Sequence, residues 1–257
     1  MLKALIFDVD GTLAETEPVH RTAFNAAFAQ AGLTWSWDEA LYGDLLQVTG
    51  GRERLLHYLA QHHRPEEAAR LAPRVPEIYA AKTRAYVSLL ASDRLAPRPG
   101  VLRLIAEARA AGLRLAIATT SHPDNVAALL DRLVPEGGFD VVAAGDAVAE
   151  KKPAPAVYAL ALDRLGIAAD EAVAFEDSQN GIRSARGAGL SVVATPSRAL
   201  PHDDLAEAQA VVSDLGEPEA PHRLIAGEPW PGGHVSLPAL RDWHARQAAA
   251  CPAVGMA

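Results

Sequence analysis

The chain has 257 residues, 49% of them hydrophobic, so it is long enough to bury one large core or two unequal ones. Its 24 basic and 32 acidic residues give a net charge of −8. The sequence has no dense run of lysine and arginine, so we expect no nucleic-acid partner. The single Cys251 excludes an internal disulfide framework and a cysteine-rich zinc site. A chain with one cysteine suits a reducing compartment, so we expect a cytoplasmic protein. It has no apolar stretch of membrane length and no apolar signal region, so we expect no membrane partner. We also expect a monomer.

Short apolar runs recur along the chain and predict buried parallel strands. Helical stretches lie between most of these runs, which is typical of an α/β sheet with right-handed crossovers. The predicted strands cover residues 5–7, 113–118, 139–143, 172–175, 191–194 and 210–212.

The first two predicted strands are separated by residues 8–112, and much of this span has apolar residues at helical spacing. We interpret residues 15–94 as an inserted helical cap domain that leaves the core at 14–18 and returns at 93–99, where Pro97 and Pro99 bar a helix. Residues 1–14 and 95–225 then form the core domain. Residues 226–257 are predicted to be a loop followed by a helix over 237–248, without chemistry.

Two carboxylates follow the first predicted strand. Strand side chains alternate between faces, so Asp8 and Asp10 lie on the same side of the strand end. Gly11 and Thr12 then turn the chain away, because glycine has a permissive backbone and threonine a hydroxyl that bonds locally. Paired carboxylates at the mouth of a sheet indicate metal binding and catalysis.

Three further polar segments follow later strands and are predicted to join Asp8 at the carboxyl edge of the sheet, where open α/β folds bind ligands. The hydroxyls of residues 119–121 precede a helix that begins near Pro123, and this arrangement favours an anion site. Lys152 is held in an extended conformation by the following Pro153, and its ammonium can neutralise phosphate. Adjacent acids complete an oxygen site suited to magnesium rather than zinc. Each segment alone has an ordinary structural explanation, but their order and location together favour catalysis. The segments are Thr119-Thr120-Ser121, Lys152 and Glu176-Asp177.

These motifs resemble the four motifs of the haloacid dehalogenase superfamily. The matching residues are Asp-x-Asp-Gly-Thr, a strand-terminal threonine, Lys-Pro, and Glu-Asp-Ser-Gln-Asn-Gly-Ile, and the resemblance covers nearly all of residues 1–215. It implies an α/β fold with a Rossmann-like core, in which helices flank a central parallel sheet. A helical insertion directly after the first motif is similar to the small cap of the β-phosphoglucomutase-like branch.

The cap resembles that of the CbbY-type sugar bisphosphate phosphatases of carbon-fixing organisms. In that family the substrate is xylulose 1,5-bisphosphate, a misfire product that inhibits Rubisco, so the resemblance implies a sugar phosphate as the small-molecule partner. The similar residues are Trp35-Ser36-Trp37-Asp38, Tyr42, Thr49-Gly50-Gly51-Arg52-Glu53-Arg54, Ala14-Glu15-Thr16-Glu17 and Ala81-Lys82-Thr83.

The resemblance also implies a role for each core residue. Asp8 is the expected nucleophile that forms an aspartyl-phosphate, and Asp10 the expected acid and base. The resemblance implies Mg²⁺ held by Asp8, the backbone carbonyl of Asp10 and Asp177, with Glu176 behind them or acting through water. The groups expected to stabilise the phosphoryl oxygens are Lys152, the Thr119 hydroxyl and the Thr120 N–H, beside Ser121.

The cap is expected to supply specificity, because a second phosphate calls for cations on the lid. The candidate cations are Arg52, Arg54 and Lys82, although solvated helix charges would explain Arg54 and Lys82 equally well. Gly50 and Gly51 would allow close approach of the backbone, and Glu53 follows them in the predicted substrate-binding set. The remaining candidates are Glu17 and His20, which could meet sugar hydroxyls, though His20 also fits a core-edge position. Trp35 and Trp37 are expected to pack inside the cap.

Three other functions stay open at this point. A sugar phosphomutase needs the same motifs, and only the fate of the phosphoryl group separates it from a phosphatase. A catalytically silent sugar-phosphate-binding module could retain the fold, since fold alone does not establish function. A dehalogenase is disfavoured because that branch differs where Asp10 stands and needs no magnesium.

Overall fold

The computed structural model of the protein describes residues 1–92, 95–134 and 138–250. Within them, seven strands form one sheet in the order β3-β2-β1-β4-β5-β6-β7, and β1 to β6 are parallel. This confirms the predicted α/β fold. The strands are β1 (Ala4–Phe7), β2 (Arg114–Ala118), β3 (Val141–Ala143), β4 (Ala172–Glu176), β5 (Ser191–Ala194), β6 (Ala210–Val212) and β7 (Leu224–Ala226).

The first strand lies near the middle of the sheet and pairs on both sides. Phe7 is in register with Ile117 of β2 and with Phe175 of β4, so three strands end at nearly the same level. Because these strands are parallel, the residues after each of them meet at one edge. Every residue of β1 is buried and apolar, as expected for a strand with both faces covered.

The last strand was not predicted from the sequence. β7 pairs antiparallel with β6 at the edge of the sheet, and all three of its residues are exposed. A three-residue exposed strand has no alternation and no buried run, so its sequence resembles a loop. β3 is also shorter than predicted: it begins at Val141 rather than 139, because Asp140 instead accepts a hydrogen bond from the Leu115 N–H through its side chain.

Helices cover both faces of the sheet. Leu5 and Phe7 point into one apolar cluster and Ala4 and Ile6 into the other, as the alternation of a strand requires. The helices after β2 are α7 (Pro123–Leu133), α8 (Ala156–Leu165), α9 (Gln179–Gly187) and α10 (Leu237–Ala250), and α6 (Val101–Ala110) precedes β2. None of the helices in the described ranges is long and apolar enough to cross a bilayer.

Between β1 and α6, the described residues form five α-helices. They are α1 (Glu17–Gln30), α2 (Glu39–Leu45), α3 (Gly51–His62), α4 (Pro65–Leu71) and α5 (Val75–Ser92). They enclose a third apolar cluster built around Phe24, Phe28 and Trp37, and Trp35 packs against it, which confirms the expected packing of both tryptophans. Asp93 and Arg94, at the predicted return to the core, lie outside the described residues.

The C-terminal part of the chain packs on the core. Trp230, Leu240 and Trp243 are buried in the same apolar cluster as Leu5 and Phe7. The Glu107 carboxylate of α6 accepts a hydrogen bond of 2.7 Å from the Leu237 N–H at the start of α10. α10 begins at Leu237, as predicted, and extends to Ala250 rather than residue 248. Cys251 lies outside the described residues.

Candidate active site

The loop after β1 carries the two predicted catalytic carboxylates. Asp8 follows the last residue of β1, and its N–H donates to the Phe175 carbonyl of β4 over 3.0 Å. Gly11 has a φ of 82°, a conformation that glycine adopts without a steric penalty, and its N–H donates to the Ala14 carbonyl. The turn therefore returns the chain toward α1 directly after Asp10.

Asp8 belongs to a buried cluster of one cation and several acids. The Lys152 ammonium donates to Asp8 Oδ1 and to Glu176 Oε1, each over 2.6 Å. The Tyr158 hydroxyl donates to the same Glu176 oxygen over 2.6 Å. Burial raises the pKa of Asp8 to about 8, and Glu176 and Asp10 add to the shift while Lys152 opposes it. Burial opposes the charge of Lys152, but its two carboxylates outweigh this and raise its pKa.

The acids of this cluster form a set suited to a hard cation. Asp8, Glu176 and Asp177 are all buried, and one oxygen from each lies within 4.8 Å of the others. Burial, followed by the charges of Asp8 and Glu176, raises the pKa of Asp177 well above its usual range. Three clustered carboxylates against one lysine leave an excess of negative charge, which a divalent cation would offset. All donors are oxygens, so these residues fit Mg²⁺.

Two glycines make room for the acids of the cluster. A Cβ added at Gly11 would overlap the Asp177 carboxylate, and one added at Gly181 would overlap the Glu176 carboxylate. Gly181 lies in the first turn of α9, where its N–H donates to the side chain of the N-cap Ser178. The close approach of the Asp177 and Glu176 carboxylates thus explains why glycine stands at positions 11 and 181 of the first and last motifs.

Asp10 faces away from this cluster, toward the start of α1. Its carboxylate accepts hydrogen bonds from Thr16 Oγ1 over 2.5 Å, from His20 Nε2 over 2.9 Å and from the Ser121 hydroxyl. Burial opposes ionisation of Asp10, but the attraction of His20 and these hydrogen bonds outweigh it and lower the pKa of Asp10 well below its usual range. The Asp10 side chain is not among the clustered metal-type ligands, so a metal contact through its backbone carbonyl stays a prediction.

The second motif lies beside Asp10 at the end of β2. The Thr119 N–H donates to the Ala143 carbonyl of β3 over 3.0 Å, and the Thr119 hydroxyl accepts from the Ser121 N–H over 3.2 Å. α7 begins at Pro123, as predicted, and its N-cap His122 accepts from the Asp124 N–H. Thr119, Thr120 and Ser121 all line the same cavity as Asp8 and Asp10.

The helices between β1 and α6, which the sequence analysis predicts to be a cap domain, close this cavity from the other side. Its lining includes Asp8, Asp10, Lys152 and Asp177 from the core and, among the predicted cap residues, Glu17, His20, Gly50, Gly51, Arg54 and Lys82. Three predicted residues do not line it. Arg52 is exposed, the Glu53 carboxylate packs over the backbone of Gly50, and Glu176 lies fully buried behind Lys152.

Arg54 and Lys82 are held by buried contacts and are not solvated helix charges, whereas Arg52 is exposed. Arg54 donates to the Leu45 carbonyl over 3.1 Å and to the Tyr42 hydroxyl over 3.2 Å, and Tyr42 in turn donates to Glu17 over 2.6 Å. Lys82 is 3% exposed. Its ammonium lies 2.6 Å from His20 Nδ1, which ties it through His20 to Asp10.

The sequence analysis missed several cavity residues. Tyr79 lies in the span whose apolar residues have helical spacing, which indicates packing and not a site, and Asn125 has no sequence signal beyond its place in a predicted helix. Contacts between cap and core supply others: Gln47 Nε2 donates to Asp203 Oδ1 over 3.0 Å, and Asn180 Nδ2 donates to Thr49 Oγ1 over 3.2 Å. The further cavity residues are Leu46, Gln47, Thr49, Ser178, Asn180, Leu200 and Asp203. Thr49, Ser178 and Asn180 lie inside motifs quoted in the sequence analysis, which gave them no role of their own. The others come from several segments and share no local pattern.

The cavity between cap and core has a volume of about 90 Å³. Sites for small molecules usually measure about 300–1,000 Å³. The cavity is therefore smaller than a usual small-molecule site, and a ligand of ordinary size would need movement of α1–α5 or of side chains to enter.

Comparisons with known proteins agree with this geometry. The family model of haloacid dehalogenase-like hydrolases matches residues 2–189. The plasmid-encoded CbbY protein of Cupriavidus necator is 46% identical over 251 residues, which cover 95% of this chain and 97% of that protein. CbbY of Rhodobacter capsulatus is 50% identical over 217 residues, covering 83% and 94%.

Solved structures point the same way. A crystal structure of a CbbY mutant from Rhodobacter sphaeroides, in complex with xylulose-(1,5)bisphosphate, is 42% identical with a TM-score of 0.78, and the alignment covers 91% of this chain and all of that one. β-Phosphoglucomutase of Clostridium difficile shares the fold at 18% identity, with a TM-score of 0.71 and coverage of 97% and 100%. The chain is an enzyme of the haloacid dehalogenase-like hydrolase family, and its relatives include the CbbY proteins.

Proposed function

We propose that the protein is a Mg²⁺-dependent phosphatase that converts xylulose 1,5-bisphosphate to xylulose 5-phosphate and inorganic phosphate. The observation that carries this proposal is the buried cluster of Asp8, Lys152 and Asp177 facing the cap cations Arg54 and Lys82 across one cavity. The core offers a nucleophile and charge for one phosphoryl group, and the cap offers positive charge for a second. The similarity to a CbbY protein that was crystallised with this bisphosphate supports the same substrate.

In the first half of the proposed reaction, an Asp8 oxygen attacks phosphorus and the bond from phosphorus to the sugar oxygen breaks. Asp10 gives a proton to the departing oxygen. Because Thr16, His20 and Ser121 favour its carboxylate in this structure, the bound substrate must weaken these contacts so that Asp10 can take up that proton first. The Lys152 ammonium, 2.6 Å from Asp8, stabilises the charge that develops on the phosphoryl oxygens. When bound, Mg²⁺ supplies positive charge that keeps the anionic nucleophile and the phosphoryl group from repelling one another.

In the second half, Asp10 accepts a proton from water as the water oxygen attacks phosphorus, and the bond to Asp8 breaks. The contacts from Thr16, His20 and Ser121 favour the carboxylate of Asp10, which is the form that this half requires. Two of these partners lie at the start of the cap. The proposed cap domain, residues 15–94, would therefore hold Asp10 in its basic form when closed.

Phosphate release from xylulose 1,5-bisphosphate and from a panel of sugar mono- and bisphosphates tests this proposal. We expect Asp8→Asn or removal of the metal by a chelator to abolish release, and added Mg²⁺ to restore it in the chelated wild type. Asp163→Asn is the matched control, because Asp163 is an exposed acid on α8 outside the cavity. Release that persists in Asp8→Asn contradicts the nucleophile, and release only from other phosphoesters contradicts the substrate.

The same panel separates the alternatives. Isomerised sugar phosphate without stoichiometric phosphate release, with β-glucose 1-phosphate and a bisphosphate primer, would indicate a mutase. Sugar-phosphate binding without turnover of any phosphoester would indicate a silent binding module. We also propose that the enzyme is a monomer, and size-exclusion chromatography at assay concentration tests this.

A further inference from the structure

Asn125 is a buried polar side chain in the cavity that has no hydrogen-bond partner in the protein. It lies in the first turn of α7, is 2% exposed and lines the cavity with Ser121 and Lys82. Among the described residues, neither its amide oxygen nor its amide nitrogen finds a partner. A buried amide without partners is unfavourable, so its presence here indicates that something other than folding requires it.

Another asparagine shows how this fold satisfies a structural amide. Asn25 donates from Nδ2 to the Trp37 carbonyl over 2.9 Å and accepts from the Trp37 N–H at Oδ1 over 2.8 Å. Both halves of that amide are used to fix the chain before α2. Asn125 has the same two groups, both without a partner among the described residues, and its side chain belongs to the lining of the cavity in which the reacting substrate is proposed to lie.

The chemistry of the amide restricts its ligand. A carboxamide presents donors on nitrogen and an acceptor on oxygen. A phosphoryl dianion has only acceptors and would leave Oδ1 of Asn125 without a partner. A hydroxyl group both donates and accepts, so two hydroxyls on neighbouring carbons, one donating to Oδ1 and the other accepting from Nδ2, would give both ends of the amide a partner. The cations of the cap, Arg54 and Lys82, are better suited to phosphate.

We propose that the Asn125 amide binds hydroxyl groups on the carbon chain of the substrate and so selects sugar phosphates over phosphoesters without hydroxyls. This inference rests on the proposed function and adds a specificity-determining residue to it. Asn125 is well placed for this role, because it lies on the same helix end that follows Ser121, while the reacting phosphoryl group faces Asp8 and Lys152. The hydroxyl contacts and the phosphoryl contacts thus come from different elements of one cavity.

The test compares two bisphosphates, xylulose 1,5-bisphosphate and 1,5-pentanediol bisphosphate, which has the same chain length but no hydroxyls. We expect Asn125→Leu to lower kcat/KM for the sugar by roughly 10- to 100-fold, the size expected for one or two hydrogen bonds, and to change the value for the diol derivative by less than about twofold. The melting temperature without ligand should stay equal or rise, because two unpaired polar groups are removed.

Asn25→Leu is the matched control: it removes a satisfied amide, so it should lower the melting temperature and affect both substrates alike. An equal loss on both substrates in Asn125→Leu, or no loss on the sugar, overturns the proposal. If neither compound is hydrolysed, calorimetric binding of both to wild type and Asn125→Leu decides it separately from the proposed function. Selective weakening of sugar binding supports the role of Asn125, and equal affinities or no binding refute it.

Discussion

Replacing Gly11 with alanine should separate the backbone role of this residue from its role in the acidic site. The backbone has a φ of 82°, where an L-residue costs about 1–2 kcal/mol. In addition, the new Cβ would lie 2.7 Å from Asp177 Cγ and closer still to its carboxylate oxygen, so this acid must move. Displacing a group of the reacting site by about 1 Å can cost about 100-fold in rate.

Gly112→Ala is the matched control for this variant. Gly112 has a φ of 73°, but an added Cβ there would meet nothing within 4 Å. Gly112→Ala should therefore lose about 1–2 kcal/mol of unfolding free energy from the backbone alone, which corresponds to roughly 2–8 °C in melting temperature for a chain of this size, and Gly11→Ala should lose at least as much. Phosphate release should fall by more than about 10-fold in Gly11→Ala alone, and its Mg²⁺ requirement should rise.

Thermal unfolding followed by circular dichroism, together with phosphate release across a Mg²⁺ titration, measures these effects. The reasoning is refuted if Gly11→Ala keeps the activity and Mg²⁺ dependence of Gly112→Ala. It is also refuted if the two variants lose activity equally, because the loss would then follow from the backbone penalty alone.

Three other perturbations test the buried groups and the closed cap. Burial lowers the pKa of Lys82 from 10.5 to about 7. Between these two pH values the unfolded chain therefore binds more protons than the folded chain. The free energy of unfolding of the wild type, relative to that of Lys82→Met, should rise with pH across this window by at most about 1.4 kcal/mol per pH unit. A difference in urea unfolding that does not change with pH contradicts this. Tyr158→Phe removes a hydrogen bond to Glu176 and should cost about 2 kcal/mol in the same assay, whereas an unchanged midpoint would show that the bond contributes nothing. Cysteines replacing Gln47 and Asp203, joined by a short bismaleimide, should stop turnover while the unlinked variant stays active; full activity after cross-linking rules out cap opening.

The core of the site was predictable because it depends on local patterns. Asp8 follows a short apolar strand, and Glu176 and Asp177 end another, so parallel pairing alone brings them to one edge. Lys152 was predicted on the same basis, and the structure places its ammonium between Asp8 and Glu176. The edge strand β7 was missed because three exposed residues carry neither alternation nor a buried run.

The sequence by itself predicted where most of the parallel strands end and that the acids after them offer only oxygen donors, since both depend on residues close together in the chain. The bounds of the helical cap domain stay a prediction. Only the tertiary structure decided which cap charges face the cavity: it brings in Arg54 and Lys82 and leaves Arg52 in solvent. It also revealed Asn125, because an unpaired amide is defined by what surrounds it and not by its neighbours in sequence. Which side chains become buried between the core and helices α1–α5 depends on contacts between segments that are distant in the chain. The periodicity of apolar residues predicts the buried face of one helix but not such contacts.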